Sequence, residues 1–352
     1  MIVRQLFDPR SSTYTDLLAD AASRVAVLVD PVFEQVPRDA ALLRELGLRL
    51  WYTLETHVHA DHVTGAWRLR ELTGSRIVAG AATGVEGADR LLADGEALAF
   101  GRHALTALAT PGHTSGCTSY VDEARERVFT GDSLMIRSAG RTDFQQGDAG
   151  RLFRSVHERL FTLPGACVVY PGHDYAGRTS STIAEERAWN PRLGGERSES
   201  DFATTMANLG LPHPNLMDVA VPANLRCGRP DPQVAAAAPA EWGPAQRSFA
   251  GVLEVDARWL AEHRHEALVL DVREAAEFDG ELGHIAGARL CPLADLRAQL
   301  PALPRDRPII AVCRSGARSA QASLILEKAG LSRVAHLSGG MIQWRSQQLP
   351  VE

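Results

Sequence analysis

The stretch THVHADHVTG, Thr56 to Gly65, packs His57, His59, Asp61 and His62 into six consecutive positions. It follows LRLWYTLET, an apolar run of the kind that forms a strand and ends in a loop. Side chains two apart in extended backbone face the same way, so His57 and His59 can converge on one ion. Asp61 and His62 come next, where the chain is expected to turn into a helix, and can face a neighbouring position. Further ligands should come from other strand ends. His113 in TPGHTSG, Asp132 in FTGDS and His173 in YPGHDY qualify, because each follows an apolar run and sits beside glycine. Isolated histidines such as His103 and His157 are read instead as ordinary core, cap or surface residues.

From the residues alone, two chemistries stay open. The full set of His57, His59, Asp61, His62, His113, Asp132 and His173 would serve a two-metal hydrolase, with Asp132 bridging and activated water as the nucleophile. A single redox metal held by part of the set is the other.

Length and composition narrow the setting. A chain of 352 residues, 45% hydrophobic and 23% charged, is longer than one average domain and can bury a sizeable core, so two domains are expected. With 37 basic and 43 acidic residues and a net charge of -6, there is no basic excess to attract nucleic acid or an anionic membrane. No apolar run approaches the roughly 20 residues a membrane span needs, and MIVRQLFDPRSSTYTDLL has none of the layout of a secretory signal. The chain is therefore read as cytoplasmic. Cys117, Cys167, Cys227, Cys291 and Cys313 are odd in number and form no CxxC pair, which fits free thiols in a reducing compartment.

Apolar runs (RVAVLVD, ALTALAT, RVFTGD, CVVYPG) alternate with helical patterns (DAALLRELG, DAGRLFRSVHERLF) through the first part, a mixed α/β domain over 1–228. A proline- and alanine-rich linker is expected over 229–248. A second, smaller α/β domain over 249–352 has ALVLDV and RPIIAVC as buried strands and ARSAQASLILEKAG as a helix ended by Gly330. No internal repeat relates the two.

THVHADH, PGHTSG, TGDS and PGHD resemble the metal motifs of the metallo-β-lactamase superfamily, whose fold is a four-layer αββα sandwich with the metal site at one edge. QLFDPRSSTYTDLL, GRTDFQQGD, HERLFTLPG, EERAWNPRL and VPANLRCG extend the likeness over nearly all of 1–228, and within the superfamily it is closest to the persulfide dioxygenases, related in fold to glyoxalase II. The resemblance implies one iron(II) per chain held by His57, His113 and Asp132, with His59, Asp61, His62 and His173 orienting ligands and water through hydrogen bonds. It also implies glutathione persulfide and O2 as substrates and sulfite and glutathione as products. Arg141 is then the candidate partner for the glutathione carboxylates, with Tyr175 lining the pocket. Gly172 stands where the family more often has a larger residue. The competing reading is a two-zinc thioester hydrolase like glyoxalase II with an accessory C-terminal domain.

In the second domain CRSGARS, Cys313 to Ser319, sets a cysteine between the strand PIIAV and a helix. Backbone N–H groups at Ser315 and Gly316, the helix dipole, Arg314 and Arg318 would cradle an anion and favour the thiolate. With LDVREAAEF, GHIAGA and LSGGMIQW, the loop resembles the rhodanese sulfurtransferases, whose domain is built on a central parallel sheet. The cysteine-to-arginine spacing alone also fits a tyrosine phosphatase. The likeness implies that Cys313 carries a sulfane sulfur, exchanging it among thiosulfate, glutathione and sulfite. The reading allows a homodimer.

Overall fold

Alternation in VAVLV, Val25–Val29, sets up the layers of the first domain. Val25, Val27 and Val29 enter a core with Leu54, Val78, Phe100, Tyr120 and Phe129, while Ala26 and Leu28 face Leu42, Leu43 and Leu69 on the opposite side. A strand apolar on both faces must be covered on both.

The computed structural model describes residues 1–212, 216–230 and 245–352. The chain divides into two units, Met1–Ala235 and Ala236–Glu352. Residues 231–244, most of the expected linker, lie outside the described residues.

One sheet of the first unit runs in order through β1 (Ile2–Asp8), β2 (Thr13–Ala19), β3 (Val25–Val29), β4 (Arg49–Glu55), β5 (Arg76–Gly80) and β6 (Arg90–Leu92), antiparallel up to β3 and parallel beyond it. The second contains β7 (Ala97–Phe100), β8 (His103–Ala109), β9 (Thr118–Asp122), β10 (Arg127–Gly131), β11 (Val168–Pro171) and β12 (Ser181–Thr182), parallel only between β10 and β11. Their inner faces share the core of Leu54 and Phe129. Helices α1 (Val36–Glu45) and α2 (Ala66–Thr73) cover the first sheet; α3 (Ala149–Ser155), α4 (Ile183–Trp189) and α5 (Glu199–Ala207) cover the second through Leu152, Ile183 and Phe202. The result is the αββα sandwich. Truncating fully buried Leu54 to alanine should cost about 2–5 kcal/mol. One further helix, α6 (Met217–Leu225), follows.

Two local expectations change. No helix begins at Asp61: residues 57–64 stay irregular and α2 starts at Ala66, where the Thr64 hydroxyl accepts the Ala66 N–H at 3.1 Å and itself donates to Glu55. The helix expected over DAGRLFRSVHERLF is capped by Asp148 and widens after Ser155 into a π turn over Val156–Leu160.

In the second unit, β13 (Gln246–Arg247), β14 (Leu253–Val255), β15 (Leu268–Asp271), β16 (Arg289–Leu290), β17 (Ile309–Val312) and β18 (Val334–Leu337) form one sheet, ordered β13-β14-β18-β17-β15-β16. It is parallel except for the β13–β14 edge pair. Buried β17 ends at the Cys313 loop, after which the helix α7 (Ala317–Lys328) begins.

Candidate metal centre and cysteine loop

The carboxyl ends of β4, β8, β10 and β11 bring together the histidines and aspartates that lie far apart in sequence. One ligand atom each from His57, His113 and Asp132 lies within 4.8 Å of the others, and all three residues are buried. The hydrogen bonds around them decide which imidazole nitrogens can act as donors to a metal. Asp30 accepts both the Thr56 N–H and the Thr56 hydroxyl at 2.7 Å. With its hydrogen used there, the Thr56 oxygen is left to accept from His57 Nδ1 at 2.9 Å, so the Nε2 lone pair of His57 is free. His113 Nδ1 lies 2.6 Å from the Arg141 carbonyl, which can only accept, so its Nε2 is free as well and faces Asp132 Oδ2 at 3.7 Å.

Electrostatics agree with that donor set. Burial, with His59 and His113 nearby, holds His57 well below its ordinary pKa and therefore neutral. Burial opposes charge on Asp132, but His173, His113 and His57 outweigh it and hold the carboxyl well below the usual range. Two imidazoles whose Nε2 atoms face inward and one carboxylate suit a divalent first-row metal.

His59 parts company with His57, although the alternation reading put them on one ion. Their rings lie 4.0 Å apart, but His59 Nε2 is 3.2 Å from Asp30 and 3.7 Å from Glu55. Burial alone would lower its pKa; Asp30 and Glu55 push it up to about 9. His59 joins instead two other groups with metal-binding spacing, one with Asp30 and Glu55, the other with Asp61, His62 and His173. His173 bridges the two halves of the site, its Nδ1 2.7 Å from Asp132 and its Nε2 3.0 Å from Asp61. At Gly172 a Cβ would come 3.0 Å from Asp132 Oδ1 and 3.1 Å from the Gly131 backbone, a close fit that a larger residue would meet only with a small shift of those neighbours.

The cluster opens on a cleft of about 730 Å³, within the range of small-molecule sites. Phe144, Tyr175, Leu211 and Leu216 line it, with Arg10, Arg141 and Arg192. Tyr175 is 74% exposed and stacks parallel to His173. Arg141 faces the cleft as expected, but it already holds Asp143 through two 2.6 Å contacts and the carbonyls of Leu211 and Pro212. Arg192 differs: it donates to the Ala139 carbonyl at 3.0 Å, and among the described residues no carboxylate pairs with it. The NPRL segment carried no signal for this role beyond the arginine itself.

Asn224 is a second residue that sequence reasoning did not single out. Buried on α6, it donates to the carbonyls of His59 (2.9 Å) and His62 (2.8 Å) and accepts the Thr64 N–H (2.8 Å). One amide thus pins the loop at three points, from 160 or more positions away in sequence.

In the second unit Ser315, Gly316 and Ser319 meet Cys313. Gly316 N–H donates to Cys313 Sγ at 3.2 Å. Burial opposes ionisation of Cys313, yet contacts from Ser319, Ser315 and Gly316 bring its pKa below the ordinary thiol value. Burial instead raises the other four thiols, Cys117 and Cys167 to about 11 and Cys227 to about 12. All five cysteines are free. The LSGGMIQW segment grips the loop from behind: Met341 N–H bonds the Cys313 carbonyl and Ile342 N–H the Arg314 carbonyl. A Cβ on Gly340, at φ +59°, would meet that Cys313 carbonyl at 2.4 Å, which excludes any other residue. Arg314 is exposed, whereas Arg318 is paired with Glu277 through contacts of 2.6 and 2.7 Å, a partner not foreseen for it.

A family model described as the metallo-beta-lactamase superfamily matches residues 22–173, and one described as a rhodanese-like domain matches residues 256–347. The mitochondrial persulfide dioxygenase ETHE1 of Homo sapiens is 53% identical over 229 residues, covering 65% of this chain and 89% of that protein. The crystal structure of ETHE1 from Myxococcus xanthus matches with a TM-score of 0.63 and 51% identity, over 65% of this chain and all of that one. A metallo-beta-lactamase from Staphylococcus aureus subsp. aureus COL matches in fold over 96% of this chain and 98% of its own, with a TM-score of 0.61 and 20% identity.

Proposed function

Since the chain belongs to the persulfide dioxygenase family of the metallo-β-lactamase superfamily and carries a rhodanese-like domain, we propose that it is a bifunctional enzyme of sulfur metabolism acting on glutathione persulfide. In the first unit glutathione persulfide, O2 and water become glutathione and sulfite, which balances as GSSH + O2 + H2O giving GSH + H2SO3. The observation that carries this reading is the His57, His113 and Asp132 donor set, with His59 held away by Asp30 and Glu55. Iron(II) held by those three groups would supply the redox couple that O2 needs and zinc lacks.

The chain's own residues do the rest. Thr56 and the Arg141 carbonyl keep both imidazoles in the ligand tautomer, and ionised Asp132 offsets the metal's charge. Arg192 is suited to receive a glutathione carboxylate because it lines the cleft and, among the described residues, has no carboxylate partner, while Arg141 shapes the rim. Phe144, whose ring lies edge-on to His113 at 6.1 Å, gives the cleft an apolar wall beside the donor set.

In the second unit the Cys313 thiolate attacks the outer sulfur of thiosulfate. The S–S bond breaks, sulfite leaves, and Cys313 holds the sulfur as a persulfide. A glutathione thiol then takes it, giving glutathione persulfide and restoring the thiolate; in the reverse direction sulfite accepts the sulfur. The tether raises the effective concentration of one activity near the other. Five free thiols fit a reducing cytoplasm, and among the described residues no helix is long and apolar enough to cross a membrane.

The two activities should separate by mutation. His113→Ala should abolish O2 uptake with glutathione persulfide and leave thiosulfate sulfurtransferase activity intact, and Cys313→Ser should do the reverse. Loss of both in either variant would refute the assignment. The second donor group, His59, Asp61, His62 and His173, favours the rival two-zinc thioester hydrolase, which would show two zinc per chain and hydrolysis of glutathione thioesters.

A further inference from the structure

The two arginines of the Cys313 loop stand in different electrostatic states. Arg314 is exposed, and among the described residues no carboxylate pairs with it. Arg318 gives both terminal nitrogens to Glu277, Nη1 to Oε2 at 2.6 Å and Nη2 to Oε1 at 2.7 Å, the two-pronged geometry in which a guanidinium and a carboxylate hold each other best. Those bonds do most to raise the Arg318 pKa; burial opposes them, and the charges of Glu277, Cys313 and Glu274 add to the rise, so the thiolate lies within electrostatic reach of the pair. Glu277 is fixed from behind. It sits in a one-turn helix, Ala275–Phe278, and its carbonyl accepts from Arg273 Nη1 at 2.9 Å. Arg273 is buried and locked in turn on the Asp271 carboxylate, at 2.7 Å from Nη2, and on the Gly283 carbonyl at 2.8 Å. The carboxylate facing Arg318 is thus placed by the fold, unlike a mobile surface charge.

We propose that Glu277 sets the donor preference of the cysteine loop: by neutralising Arg318 it weakens the binding of dianionic oxyanions, thiosulfate among them, and favours sulfane donors that bring a single negative charge to the thiol, the class of alkyl persulfides. Arg318 and Glu277 sum to zero charge, so a dianion entering the loop meets Arg314 and the backbone N–H groups as its positive partners and Glu277 as a fixed negative one. A persulfide end carries half that charge on one sulfur, and so loses less to the carboxylate. The inference rests on the sulfurtransferase reading above and names which donors that site favours.

The test compares full-length wild type, Glu277→Gln and Glu277→Asp, with thermal unfolding to check that each folds. KM and kcat are measured for thiosulfate, and for glutathione persulfide without O2 so that the first unit cannot consume it. Independently of turnover, inorganic sulfate is titrated for its protection of Cys313 against alkylation, read by peptide mass spectrometry. Glu277→Gln should lower KM for thiosulfate and the half-protecting sulfate concentration by about 2- to 5-fold, the range for a partly exposed ion pair, with a smaller change in kcat. Both gains should shrink as sodium chloride is raised, because the interaction is one of screened charges. KM for glutathione persulfide should move less, and Glu277→Asp, which keeps the charge, should stay near wild type. Unchanged thiosulfate KM and sulfate protection in Glu277→Gln overturn the role of Glu277. A raised KM also overturns it, since the pair would then be holding Arg318 in a productive pose. If wild type forms no Cys313 persulfide from either donor, the sulfurtransferase reading itself fails, while sulfate protection still reports on Glu277.

Discussion

Asp30 accepts both hydrogen-bond donors of Thr56, the N–H at Oδ1 and the hydroxyl at Oδ2, each at 2.7 Å. Through that pair a carboxylate without a place in the donor set decides which nitrogen of His57 faces the metal. Asp30→Asn should release the Thr56 hydrogen toward His57 Nδ1 and move the imidazole hydrogen to Nε2. Metal affinity, measured by chelator competition, should fall about 10- to 100-fold. Unchanged affinity would contradict this tautomer control.

Removing Asn224 leaves two carbonyls and one N–H of the metal loop without their partner, at about 1–3 kcal/mol for each orphaned group. Asn224→Ala should lower stability to urea, and added metal should protect the variant less than it protects wild type. Asn224→Asp should be no better, since a carboxylate oxygen would then face the His59 and His62 carbonyls.

The two cleft arginines should behave differently. Arg192→Ala should raise KM for glutathione persulfide about 10- to 100-fold with a smaller change in kcat, as expected for losing a charged hydrogen bond of roughly 1.5–3 kcal/mol. Arg141→Ala should lower kcat as well, because its side chain ties Asp143 and the 211–212 backbone and so anchors the segment whose main-chain carbonyl at 141 orients His113. Steady-state O2 uptake on both variants distinguishes these roles.

Glu277 has its pKa drawn down from 4.5 to about 2, chiefly by its bonds to Arg318. A carboxylate whose folded-state value is depressed stabilises the fold above its unfolded pKa and loses that contribution as pH falls through the folded value. The Arg318 pair should therefore contribute fully above about pH 5 and fade toward pH 2. Both side chains are about one-third exposed, so the amount is about 1 kcal/mol or less. Glu277→Gln should cost that much in urea unfolding at pH 7, and the difference from wild type should shrink as the pH is lowered.

Much of this was legible in the sequence because local chemistry left a local signature. THVHADH, PGHT and TGD each mark a strand end, and the period-2 run VAVLV reports burial on both faces. CRSGARS shows its backbone cradle by position alone, directly between β17 and the helix that follows. What spacing could not reveal is partnership across long separations. His59 turns to Asp30 and Glu55, a preference that appears only once the ends of β3 and β4 are assembled. Asn224 and Arg192 are ordinary residues in the text, and their roles come from which groups lie opposite. The pairing of Arg318 with Glu277, 41 positions apart, is of the same kind.

The central claim is that the first unit oxidises a persulfide at a single iron. Its most direct test is O2 consumption and sulfite formation from glutathione persulfide by anaerobically reconstituted protein of known metal content. The account predicts activity proportional to iron, saturating at one per chain, with one O2 consumed and one sulfite formed per persulfide. Two zinc per chain, with no O2 uptake and hydrolysis of a glutathione thioester instead, would contradict it.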